Sequence, residues 1–252
     1  MVLIHYKRPL VTRIAVKGIF NMHSPIILAL DTKDLATAKS WIGATNESIS
    51  VYKVGLEFFL KFGAAGLNEL NSAGDFQVFL DLKLHDIPNT VAGAVSSVAH
   101  LKPKFLTVHA SGGAAMIQAA SNAAPEISIT AVTVLTSLGE SDVKEIGFAA
   151  SAQETATRLA LLASSNGARS IVCSPFEASE IRKAVGSNLE IITPGVRPIG
   201  GELGDQKRVM TPSKAISAGA NYLVIGRPIT DLAKISLTAM SEGAAKILDS
   251  LN

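Results

Sequence analysis

The chain predicts an α/β fold, a single (β/α)8 TIM barrel, and three observations carry that expectation. Eight short apolar runs recur along the sequence, stretches of helical spacing separate them, and no linker divides the 252 residues into two domains. A doubly wound sheet seldom alternates so regularly over ~230 residues, whereas eight β/α units of that total length close a barrel.

The elements follow in order. Residues 26–31 form the first strand, and helical composition covers 35–44. The second strand, 49–55, carries Ile49, Val51 and Lys53 on one parity; the helix 57–73 packs Phe58 and Phe59 against the barrel. The third strand, 77–84, puts Phe79, Asp81 and Lys83 on one face and Val78, Leu80, Leu82 and Leu84 on the other, because alternate side chains of a strand point to opposite faces. A helix over 90–101 follows. The fourth strand is 105–110, with helix 114–123 and Met116 as packing. The fifth is 128–136 with helix 153–166, and the sixth is 170–174 with helix 176–185. The seventh is 190–196. Thr211 and Pro212 fit an N-cap and first helical residue for 213–218, and Gly167, Gly186 and Gly219 fit helix C-termini. The eighth strand, 222–226, precedes a last helix over 232–251. Residues 1–22 carry Lys7, Arg8, Arg13 and Lys17 among apolar residues without the layout of a signal peptide. They read as an N-terminal extension, with Met22 marking the start of a barrel domain over 23–252.

Composition removes several functions. Charged residues are 17% of the chain, below the ~25% of typical soluble domains, and hydrophobic residues are 48%, which implies extensive burial and a share of interface. The net charge of +2, without a long basic run, argues against nucleic acid as a partner, and a small anionic substrate fits better. No apolar stretch approaches the ~18 residues that span a bilayer, so a soluble, cytoplasmic protein is expected. The lone Cys173 excludes an intramolecular disulfide and a cysteine metal cluster, and reads as a buried structural thiol.

The charges inside the strand pattern are the informative residues. In a barrel of this kind the working residues stand at the C-terminal strand ends. Asp31, Lys53, Asp81, Lys83 and Asp86 bring five charges of alternating sign to that mouth. A structural salt-bridge network is the plainer explanation, but buried ion pairs are often no more stabilising than apolar residues of similar size, which favours chemistry. At the far side, Pro194-Gly195-Val196-Arg197 and Ile225-Gly226-Arg227 end strands seven and eight, where many barrels bind phosphate, and Arg227 is the expected anchor. Residues 198–210, with three glycines and Asp205, Gln206, Lys207 and Arg208, read as a lid.

A Schiff-base lysine must be neutral, yet the neighbours of Lys83 are acids, and Asp81 and Asp86 should hold it protonated. Such a lysine donates a proton. The fixed carboxylate beside it repels a substrate carboxylate, a repulsion relieved when that group leaves as carbon dioxide. Decarboxylation followed by protonation fits the arrangement.

The motifs Leu-Ala-Leu-Asp31, Tyr-Lys53-Val-Gly, Asp81-Leu-Lys83-Leu-His-Asp86-Ile-Pro-Asn-Thr90, Val-Leu-Thr136-Ser, Thr-Pro-Gly-Val-Arg197-Pro and Ile-Gly226-Arg227-Pro, in this order, resemble those of the orotidine 5′-phosphate decarboxylases, which complete de novo UMP synthesis. The resemblance spans roughly residues 24–251. It implies that Asp31 and Lys53 hold the ribose, Lys83 protonates C6, Asp81 crowds the leaving carboxylate, and Gln206, Gly226 and Arg227 take the phosphate. Thr136 and Arg197 carry over as pocket positions. It further implies a homodimer in which Asp86 and Thr90 reach the partner's site, with no cofactor and no metal. His85 and His109 read as rim residues. The rival enzymes are a magnesium-dependent sugar-phosphate decarboxylase or lyase of the same wider family, expected to carry an acid on strand two where this chain has Lys53, and a Schiff-base aldolase. A non-catalytic nucleotide-binding barrel is the rival outside catalysis.

Overall fold

The structure, a computed structural model, describes residues 24–197 and 210–251. The extension 1–22 with Met22, and the lid apart from Met210, lie outside the described residues. Eight parallel strands close a barrel in sequence order. They are β1 Ile26–Ala29, β2 Val51–Gly55, β3 Gln77–Leu84, β4 Phe105–His109, β5 Ser128–Val132, β6 Ser170–Val172, β7 Glu190–Thr193 and β8 Tyr222–Ile225. The helices are α1 Leu35–Thr45, α2 Leu56–Leu70, α3 Pro88–Ala99, α4 Ala114–Ala123, α5 Glu140–Glu145, α6 Ala152–Ser165, α7 Ala178–Val185, α8 Pro212–Ser217, α9 Arg227–Thr230 and α10 Leu237–Asp249.

The period-2 pattern sorts the side chains into two cores. Outward residues such as Leu28, Tyr52, Val54, Leu80, Leu106 and Val108 pack under the helices in one large cluster. Inward residues Ile27, Ala29, Val51, Phe79, Phe105, Ile192 and Val224 form a second cluster inside the barrel. Burying each such side chain contributes about 1.5–3 kcal/mol, so the alternation itself dictates which face turns inward. Cys173 is buried on the outer side of the barrel wall, among the residues under the helices.

The floor of the barrel is aromatic. Phe105 meets Phe79 edge-on at 5.6 Å and Tyr222 at 5.4 Å between ring centroids. Lys104 Nζ donates to the Tyr222 hydroxyl at 2.8 Å and lies 5.2 Å and 4.8 Å from the ring centres of Phe105 and Tyr222. The barrel wall also carries paired hydroxyls, those of Thr130 and Ser170 lying 2.7 Å apart.

Several boundaries differ from the sequence pattern. β1, β5, β6 and β7 end before the apolar run does, although beyond the first three Leu30, Thr133 and Cys173 still donate their N–H groups to Lys53 O at 2.9 Å, Val172 O at 3.0 Å and Ile192 O at 3.2 Å on the next strand. Helix α3 starts at Pro88, whose missing N–H costs nothing in the first turn. Helix α10 starts only at Leu237, after Ser236 caps it by accepting the Ala239 N–H at 3.0 Å. Short α5 and α9 have no counterpart in the expected pattern, being too brief to show a helical period. Gly186 adopts φ 74° at the end of α7 and donates its N–H to Arg182 O at 3.0 Å, as a helix-ending glycine should. No helix among the described residues is long and apolar enough to cross a membrane.

Candidate active site

The mouth is built around an irregularity in β3. This strand pairs with β4 as Phe79 with Phe105 and Leu80 with Leu106, then resumes at Leu84 with Val108, so residues 81–83 stand opposite Thr107 alone. Within the bulge Lys83 adopts φ 49°, a conformation that costs a non-glycine residue roughly 1–2 kcal/mol and must be compensated by local bonds. Three such bonds are present. The Lys83 N–H donates to Thr107 Oγ1 at 2.7 Å, and Lys83 Nζ donates to both carboxylate oxygens of Asp81 at 2.8 and 2.9 Å.

The neighbouring strands extend the network. Lys53 Nζ, at the end of β2, lies 3.2 Å from Asp31 Oδ1 and 3.6 Å from Asp81 Oδ2. Asp31, Lys53, Asp81 and Lys83 therefore alternate in sign across three adjacent strand ends. Burial pushes the Asp81 carboxyl up, but Lys53, Lys83 and hydrogen bonds from Lys83 and Thr107 outweigh it and hold the group below the usual carboxylate range. Burial likewise pushes the Lys53 ammonium down, and Asp31 with Asp81 more than reverses this. Asp81 and Lys53 are thus each kept charged by their neighbours. A side chain on Gly55 would put its Cβ 3.2 Å from Lys53 Nζ, so the glycine leaves room for the lysine to bridge the two acids.

One correction concerns Asp86. It does not join the other four charges; it is exposed at the start of α3, and its Oδ1 accepts the Ile87 N–H at 2.6 Å. Within one chain Asp81, not Asp86, faces the Lys83 ammonium. Thr90 is exposed on the same helix, away from the cavity.

A cavity of about 280 Å³, near the lower edge of the ~300–1,000 Å³ usual for small-molecule sites, joins the four charges to the β7 and β8 ends. Thr136, Arg197, Gly226 and Arg227 line it too, and Gly226 lies beside Asp31 because β8 pairs with β1. Burial pushes the Arg197 guanidinium down and the charge of Arg227 adds to that, so two cations face one space. An anion relieves such repulsion. Arg197 donates to Val196 O at 3.0 Å, and its N–H donates to Met210 O at 3.0 Å, so the two ends of the segment 198–209 meet beside this guanidinium. Gln206 lies outside the described residues.

The rings of His85 and His109 lie 5.3 Å apart with their planes inclined by 41°, beside the network without lining the cavity. Burial, then His85 and Lys83, pushes His109 below the usual imidazole value, so it is neutral at pH 7. Sequence reasoning missed Thr107. Its signal was a hydroxyl on the inward parity of an apolar strand, where a buried polar group must find a partner.

Charged groups of alternating sign at the C-terminal mouth, with paired cations across one cavity, put the molecule among the (β/α)8 barrel enzymes. Its place within them follows from sequence. The pattern described as the "Orotidine 5'-phosphate decarboxylase / HUMPS family" matches residues 24–238, and the chain belongs to that family. It is 54% identical over 209 residues to the orotidine 5′-phosphate decarboxylase of Thermobifida fusca (strain YX), covering 83% of this chain and 90% of the relative. With the enzyme of the same name from Frankia casuarinae the identity is 46% over 224 residues, 82% of each chain. The crystal structure of orotidine 5′-phosphate decarboxylase from Lactobacillus acidophilus superposes with a TM-score of 0.76 at 31% identity, over 90% of this chain and 99% of that one.

Proposed function

We propose that this barrel converts orotidine 5′-phosphate to UMP and carbon dioxide, the last step of pyrimidine nucleotide synthesis, with Lys83 as the proton donor. The observation that carries the reading is the alternating run Asp31, Lys53, Asp81, Lys83 lining one cavity together with Arg197 and Arg227. Asp31 and Lys53 hold the ribose hydroxyls. Arg227, with Gly226 and Gln206, takes the phosphate, and Thr136 and Arg197 complete the pocket. Asp81, kept ionised, presses a fixed negative charge on the substrate carboxylate, and that repulsion vanishes as carbon dioxide departs. The Lys83 ammonium stabilises the charge left at C6 and then gives it a proton.

No metal or cofactor enters this scheme. In the magnesium-dependent alternative an acid would stand on β2; here the Lys53 ammonium supplies the positive charge between Asp31 and Asp81. The test is the loss of orotidine 5′-phosphate absorbance in the presence of EDTA. Undiminished turnover is expected. Binding of UMP without any turnover would make the barrel a nucleotide-binding protein, and activity restored only by magnesium would favour the metal-dependent alternative.

The proposal includes a homodimer. Asp86 and Thr90 face outward at the start of α3, with Ile87 66% exposed between them, a surface suited to reaching a partner subunit's site. Mixing inactive Lys83→Ala and Asp86→Ala subunits should then restore activity, since one pocket in the heterodimer has both residues intact. Verified heterodimers without any recovered activity would mean that each site is built from one chain.

A further inference from the structure

We propose that Thr107 is a positioning residue for the proton donor: its hydroxyl holds both the backbone of Lys83 and the carboxylate of Asp81 in the arrangement that aims the lysine. The proposal rests on the assignment of Lys83 made above. Thr107 is fully buried on β4, and its hydroxyl is the hub of the β3 bulge. A hydroxyl has one proton to give. Because Lys83 N–H is itself a donor, the oxygen at 2.7 Å from it must accept, which leaves the proton for Asp81 Oδ1 at 3.0 Å. One atom thus fixes the main chain of one member of the pair and the side chain of the other.

The bulge needs that atom. Across the interruption in the β3–β4 ladder the side chain of Thr107 accepts the Lys83 N–H, taking the part a backbone carbonyl plays elsewhere in the sheet. Without it, that N–H loses its partner and the left-handed turn at Lys83 loses its compensation. The backbone then relaxes toward ordinary strand geometry, carrying Nζ off the line set by Asp81. If Thr107 merely filled space, valine, which has the same shape, would serve equally well.

The test compares Thr107→Val, Thr107→Ser and Lys83→Ala. Thr107→Val is expected to lower kcat about 10- to 100-fold, the scale of a misplacement of about an ångström, while KM and UMP binding stay near wild type. The acidic limb of its kcat/KM profile should move to higher pH, because Asp81 loses a hydrogen bond that favours its ionised form. Thr107→Ser keeps the hydroxyl and should restore both kcat and the limb. Should the valine protein fail to fold, Thr107→Ala, which cannot overfill the barrel, makes the same comparison with serine. Wild-type kcat and pH profile in Thr107→Val, beside an inactive Lys83→Ala, would overturn the role of Thr107 alone. So would a loss that serine does not repair, or one in which UMP binding weakens in step with kcat. An active Lys83→Ala would instead remove the lysine assignment, and this proposal with it.

Discussion

Lys83→Ala is expected to bind UMP nearly as well as the wild-type protein and to lose almost all turnover. General-acid catalysis contributes ~10²- to 10⁴-fold, and stabilisation of developing charge by a fixed cation adds to that, so kcat should fall by at least ~10²-fold. The truncation should not unfold the barrel. Asp81 would keep Lys53 at 3.6 Å and the Thr107 hydroxyl at 3.0 Å, so the buried carboxylate is not stranded. A folded, ligand-binding, inactive protein separates chemistry from structure. More than about a tenth of wild-type kcat would be incompatible with Lys83 as the proton donor, given the size of the terms it is asked to supply.

Arg227 is itself exposed, and a phosphate seated against it in the cavity would withdraw the pair from water; Arg227→Ala should then lower kcat/KM for the 5′-phosphate substrate by roughly 30- to 5,000-fold, because removing one partner of such a desolvated ion pair costs ~2–5 kcal/mol at ~1.4 kcal/mol per decade. Orotidine without its phosphate should react equally with both proteins. The phosphate is remote from the bond that breaks, so the comparison measures binding energy spent on the reaction rather than on affinity alone. Arg197, lining the same cavity, keeps part of the positive field in the variant. Equal losses on both substrates would mean that Arg227 supports the local fold instead.

The eight strands were legible because a barrel wall is buried on both sides, and period-2 runs such as Ile27 to Ala29 and Phe79 to Asp81 name their inward face directly. Asp31, Lys53 and Asp81 were legible for the same reason: a charge on the inward parity near a strand end stands out against apolar neighbours. The conformation of Lys83 was not. A left-handed lysine has no local signature, since glycine or asparagine would be the local choice, and it exists here through a bond to Thr107, 24 residues further along. The displacement of Asp86 was hidden similarly, because alternation stops at Leu84 and the direction of the chain beyond it depends on where α3 docks. Helices as short as α9 are set by the loop geometry at the mouth, which a periodic reading does not resolve.

The edge-on cluster of Phe79, Phe105 and Tyr222, with Lys104 bonded to the last, fills the inside of the barrel beneath the cavity that Phe79 lines. The mouth is therefore the expected route for substrate and for both products. A drain through the base would have let the gas escape while the nucleotide stayed enclosed. With the aromatic cluster in place, carbon dioxide and nucleotide share the one mouth, so release of the gas is expected to follow the same path as release of the nucleotide.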